Sequence, residues 1–201
     1  MYRLYGDPVS GNCYKVALTL AQTGRDFEWL AVSVTSGETG SAAFLARNRF
    51  GEVPVLQLPD GGYLSQSNAI ISYLAEGTAL LPNDPLQRAR INEWLFWEQY
   101  SHEPVIATTR FWIHYLDAAE EYAERIAANL PRGYAALGVM ERHCCDHAFL
   151  ANDRYSVADI ALYAYTHVCQ QGGYALDDYP AIRAWLARVA AQKGHIPMAP
   201  D

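Results

Sequence analysis

Lysine is almost missing from this 201-residue chain, which has only Lys15 and Lys193. With 22 acidic against 15 basic residues and a net charge of −7, no basic run exists to track a phosphate backbone or lie on an anionic bilayer. Neither nucleic acid nor a membrane is an expected partner. No stretch approaches the roughly 20 apolar residues that span a bilayer. Met1-Tyr2-Arg3 runs straight into a short strand rather than into a leader-like apolar segment. Cysteine is sparse too. Cys13, Cys144, Cys145 and Cys169 form no Cys-x-x-Cys pair, and adjacent Cys144 and Cys145 are poor disulfide partners for each other. A reducing, cytoplasmic setting is expected. No repeat or low-complexity segment appears. The remaining composition, 51% hydrophobic and 18% charged, is that of a globular chain large enough for one large or two small domains.

Residues 2–5 read as a strand broken by Gly6-Asp7-Pro8, and Ser10-Gly11-Asn12 opens a helix with Val16, Ala17, Leu20 and Ala21 on its apolar face. A strand over 27–34, a loop at Gly37–Ser41 and a short helix over 42–47 follow. Val53 to Leu58 is β-prone, Pro59-Asp60-Gly61-Gly62 is a turn cluster, and Tyr63-Leu64 resumes the strand. Ser65, Ser67 and Asn68 are candidate caps for a helix carrying Ala69, Ile70, Tyr73 and Leu74. The order β-α-β-α-β-β-α describes an α/β, thioredoxin-like domain over 1–77. Breakers between Gly77 and Pro85 mark a linker over 78–85, beyond which the strand signal largely vanishes. Residues 86–201 read as an all-α domain. Its helices are expected from Leu86 to Tyr100 with a kink or break at Pro104, then over 106–116, 117–129, 131–147, 157–170 and 180–193.

Pro54 stands where an antiparallel strand begins, a place that tolerates a missing N–H. In the cis form it would hold the Val53 backbone open to an extended, peptide-like ligand. Ser67 adds a hydroxyl and helix-start N–H groups, a ready anion site. A peptide edge beside an anion hole points to a small acidic peptide. This Val-Pro hairpin followed by Gln66-Ser67-Asn68-Ala69-Ile70 resembles the glutathione-binding half of the cytosolic glutathione transferases. The likeness extends over about residues 2 to 193. The box Ser156-Val157-Ala158-Asp159 is similar to one that opens a buried helix of their helical domain.

Ser10-Gly11-Asn12-Cys13 lies where thioredoxin-like folds put a reactive group, at a helix N-terminus. With serine in the attacking position, the motif cannot run a dithiol cycle. The Ser10 hydroxyl and Asn12 amide can instead stabilise a thiolate delivered by a ligand. Ser-Gly-Asn-x-Tyr-Lys resembles bacterial transferases that use Thr or Ser with a nearby Asn, including the nu-type, disulfide-reducing group. Cys13 is the rival nucleophile, with a depressed pKa expected on the first helical turn, although its position matches the second, more buried cysteine of the redox motif. His143-Cys144-Cys145-Asp146-His147 has the look of a metal tract. It lacks the glutamate of a zinc-peptidase helix and reads better as a helix C-terminus, so no metal is expected.

The resemblance implies an enzyme, a homodimer like its relatives, that takes glutathione and a small hydrophobic electrophile or a disulfide. Val53, Pro54, Gln66 and Ser67 would hold glutathione, and Ser10 with Asn12 would act on its sulfur. His102, Arg110 and Trp112 belong to an aromatic band expected to wall a co-substrate pocket. Two departures stand out. Relatives often carry Lys or His between positions 37 and 41, where this chain has Glu38 and Thr39, and Asn-Pro where it has Asn48-Arg49. Arg49 is assigned the missing charge at a glutathione carboxylate. The alternative is a non-catalytic binding or interaction module of the same fold.

Overall fold

The computed structural model describes residues 1–199. The chain separates into two compact units, one of Met1–Leu81 joined by the segment from Lys193 on, the other Pro82–Gln192. In the first unit the elements are β1 (Tyr2–Gly6), α1 (Gly11–Gln22), β2 (Phe27–Ala31), α2 (Ala42–Leu45), β3 (Val55–Gln57), β4 (Tyr63–Ser65) and α3 (Ser67–Ala75). This is the predicted order, with shorter strands at β2 and β3 than the β-prone runs. The sheet order is β2-β1-β3-β4, with β1 parallel to β2 and the other pairs antiparallel.

Strand alternation sorts the two faces of this sheet. Tyr5 pairs with Val55, and both meet the cluster of Val32 and Phe44, to which Val53 also packs. Leu4 and its partner Leu56 point the other way and are fully buried. α1 packs against α3, and α1 buries every residue from Cys13 to Leu20. The hairpin turn works as its residues dictate: the Asp60 carboxylate accepts from the Gly62 amide at 3.0 Å, and Gly61 takes φ +93°.

The all-helical domain was expected to run to residue 201, but the chain returns to the first unit from Lys193. The Tyr14 hydroxyl donates to the Ile196 carbonyl at 2.7 Å, and Gly194 comes so close to the α1 backbone that a Cβ there would lie 3.1 Å from the Gln22 Cα. An aromatic on the buried face of α1 thus anchors a distant segment.

The second unit holds α4 (Pro85–Trp97), α5 (Glu103–Arg110), α6 (Ala123–Asp146), α7 (Val157–Thr166) and α8 (Pro180–Ala190). The break expected near Pro104 is a wide helical turn over Glu98–His102, which absorbs the proline so that it falls in the first turn of α5. The expected 106–116 helix is α5 up to Arg110, and a second wide turn, Phe111–Tyr115, takes its second half. The boundary expected before Pro131 is wrong, because α6 runs unbroken for 24 residues with Pro131 inside it. Pro131 and Ala127, whose carbonyl the proline leaves unbonded, are both exposed, so water can take that bond.

Every residue of α7 is buried. Its capping box forms as predicted, and the Asp159 carboxylate collects hydrogen bonds from the amides of Ser156 (3.0 Å) and Leu150 (3.0 Å) and from the Trp185 indole (2.9 Å). Burial pushes Asp159 up to about 6 against the pull of those donors.

Candidate functional site

Ser10 leaves the β1–α1 loop in extended backbone and caps α1, its hydroxyl accepting from the Cys13 amide at 3.4 Å. Two residues on, Asn12 is half-buried and its Oδ1 accepts the Ser67 hydroxyl at 3.1 Å. Ser67 is the first residue of α3 and only 6% exposed. The fold therefore joins two helix N-termini, 55 residues apart in sequence, through one side-chain bond. Both dipoles present their positive ends to the same region, which suits a ligand with two anionic groups.

Val53 precedes a cis Val53–Pro54 bond, and the β3 ladder starts only at Val55, opposite Ser65. The loop ahead of it is built by Asn48, 3% exposed, which donates to the Glu52 carbonyl at 2.7 Å and accepts from the Phe50 amide at 3.1 Å. Gln66 holds φ 68° and ψ 111°, a region that costs a non-glycine residue of order 1–3 kcal/mol. Its side chain donates to Glu52 at 3.1 Å. That bond ties the start of α3 to the loop ahead of Val53.

The expected direction of the Cys13 pKa is reversed. Cys13 is fully buried, and burial pushes its thiol up to about 12 rather than down. The first-turn dipole is outweighed by loss of water, which disfavours the thiolate at neutral pH. Arg49 is exposed and its guanidinium stacks on the neighbouring Phe50 at 4.9 Å. Arg47 is the cation on the Val53 face, lying 4.8 Å over Tyr5, which shares the cluster with Val53. Sequence reasoning passed over it for want of a motif.

The aromatic band does not form one wall. His102 is wholly buried with Nε2 2.9 Å from the Thr166 hydroxyl, and Arg110, 4% exposed, donates to the Gln171 side chain at 2.6 Å. Neither can line an open pocket. Trp112 is half-exposed and stacked on Tyr122 at 5.1 Å. A cleft of about 660 Å³ does exist in the helical unit, but Trp94, Trp97, His143, His147 and Phe149 line it, with none of the three predicted residues. His143 and His147 stack at 4.4 Å, one contacting the Phe149 carbonyl at 3.3 Å and the other Asp153 at 2.9 Å. Among the described residues no group of three or more His, Cys, Asp or Glu is placed to hold a metal ion.

The sequence and the fold both have known relatives. Residues 4–80 match the family model described as glutathione S-transferase, N-terminal domain, and residues 99–193 that of the C-terminal domain. A crystal structure of a glutathione S-transferase from Pseudomonas fluorescens Pf-5 superposes with a TM-score of 0.96 at 48% identity, over 99% of each chain. Maleylacetoacetate isomerase of Pseudomonas aeruginosa is 34% identical over 90% of this chain and 87% of its own. The Escherichia coli disulfide-bond oxidoreductase YfcG is 28% identical, covering 96% and 91%.

Proposed function

Because the chain belongs to the glutathione S-transferase family, matched in both halves, we propose that it binds glutathione and directs its thiolate at an electrophilic carbon or a disulfide. One observation carries the reading: Ser10 and Ser67 stand at two helix starts bridged by Asn12. Val53 pairs with the peptide backbone of glutathione, and Gln66 and Ser67 receive its γ-glutamyl end. Ser10 and the α1 N-terminus face the sulfur, which lowers its pKa and releases the proton to water. At an electrophilic carbon the thiolate forms a C–S bond as the leaving group departs with its electron pair. At a disulfide it forms a mixed disulfide and expels a thiolate, and a second glutathione completes the reduction.

Isomerase and disulfide-oxidoreductase relatives support thiolate delivery more than any one second substrate. The protein works as a homodimer, a reading supported by the exposed Leu86, Phe96 and Tyr100 along α4 and the turn after it. All four cysteines are free thiols, in keeping with the cytoplasm. The test is a thermal-shift titration with glutathione. A family ligand at about 100 times its dissociation constant adds roughly 2.7 kcal/mol of stability. No shift at millimolar glutathione would instead favour a binding module without catalysis.

A further inference from the structure

Lys15 is 0% exposed, a rare state for lysine unless the ammonium has work to do among partners. It sits three residues after Asn12 on α1, so the two side chains share a helix face. Its Nζ lies 3.4 Å from the Asn68 Oδ1 and 3.5 Å from the Ser67 Oγ. Ser67 in turn donates to Asn12 at 3.1 Å. The result is a directed chain, Lys15 to Ser67 to Asn12.

The direction follows from chemistry. An ammonium has donors only, so the Ser67 oxygen must accept from it, and the hydroxyl proton must point elsewhere. A hydroxyl that accepts from a cation is polarised into a stronger donor. An incoming carboxylate that takes the place of the Asn12 oxygen would receive that proton and would also feel the positive charge one hydrogen bond behind it. The same ammonium holds Asn68, the second residue of α3, and so fixes the helix start that carries Ser67.

We propose that Lys15 is a positioning and specificity residue: acting through Ser67, it makes the site select a γ-glutamyl group that carries a free α-carboxylate. The inference rests on the reading that Ser67 receives that carboxylate.

The test compares glutathione with γ-aminobutyryl-cysteinyl-glycine, which lacks only this carboxylate. Parent protein, Lys15→Met, Lys15→Arg and Ser67→Ala are titrated with each ligand, and KM and kcat are measured with glutathione. Lys15→Met is expected to weaken glutathione binding at least about tenfold, as for loss of a bond to a charged group, and to change binding of the analogue less than about twofold. The loss should fall on KM rather than kcat, because Lys15 does not touch the sulfur, and Lys15→Arg should recover part of it. If Ser67→Ala separates the two ligands while Lys15→Met weakens both alike, or neither, the inference is overturned and the reading of Ser67 stands. If Ser67→Ala also treats them alike, both fall.

A measurement on the parent protein guards against variants that fail to fold. Isotope-labelled lysine yields only two side-chain signals, from Lys15 and the exposed Lys193. Saturation with glutathione should move the Lys15 signal, the analogue should move it less, and Lys193 should stay still. A Lys15 signal that ignores glutathione, or responds equally to both ligands, overturns the proposal.

Discussion

The Ser10 oxygen serves the Cys13 amide at a long 3.4 Å, while its proton is left for an acceptor beyond the helix end. Asn12 is placed differently, since its oxygen already answers to Ser67. The two residues should therefore separate in kinetics. A thiol like that of free cysteine titrates near about 8.5. Removing Ser10 and Asn12 together should raise the pKa of bound glutathione by about one to two units and slow the reaction about ten- to a hundredfold at pH 7. The defect should shrink as pH rises past the new pKa, read from thiolate absorbance of the complex. Asn12→Ala alone should not raise the KM for glutathione, because the incoming carboxylate displaces the Asn12 oxygen from Ser67; superimposable titrations of parent and double variant would take both residues away from the sulfur. Cys13→Ser should keep most turnover, since a buried thiol held near 12 supplies almost no thiolate. Near-total loss, with a Cys13–glutathione adduct in the parent by mass spectrometry, would reverse the assignment.

Among the elements, α7 depends on a single carboxylate. Asp159 caps its own helix and anchors Leu150 and the wholly buried Trp185. An amide at this place turns an N–H toward donors, so Asp159→Asn should cost about 1–3 kcal/mol and lower Tm by several degrees. Burial raises this carboxyl from 3.8 to about 6, so between those values the folded protein binds a proton that the unfolded chain has released. Its contribution to stability is therefore greatest below about 4 and falls as pH rises to about 6. Denaturant midpoints of parent and Asp159→Asn followed across pH 4 to 6 should show this slope only in the parent. Equal slopes would mean that the group titrates elsewhere.

At the scale of the molecule, a segment from the end of the chain folds onto its first helix. Tyr14 is 2% exposed, and its hydroxyl holds the Ile196 carbonyl and lies 3.3 Å from the His195 ring. Tyr14→Phe should cost about 0.5–1.5 kcal/mol. The loss should appear as faster amide exchange around His195 and Ile196 rather than in α7. Unchanged exchange there would show that apolar packing alone retains the segment.

The local parts of this protein were legible because they depend on near neighbours in sequence. Strand alternation, the Pro59-Asp60-Gly61-Gly62 turn and the caps at Ser10 and Ser156 are all set within a few residues. The pairing of a Val-Pro hairpin with Gln66-Ser67 was enough to point at a glutathione-binding fold. Tertiary packing decided the rest. Pro131 reads as a helix breaker, yet α6 continues through it, because an exposed carbonyl can be hydrated. Cys13 reads as activated by a helix start, yet desolvation reverses the sign. His102 and Arg110 read as pocket walls and are core. Lys15 closes the Ser-Gly-Asn-x-Tyr-Lys run, but its role was not legible there, since what matters is the approach of α3 to α1, and only the packed fold brings Ser67 within reach of it.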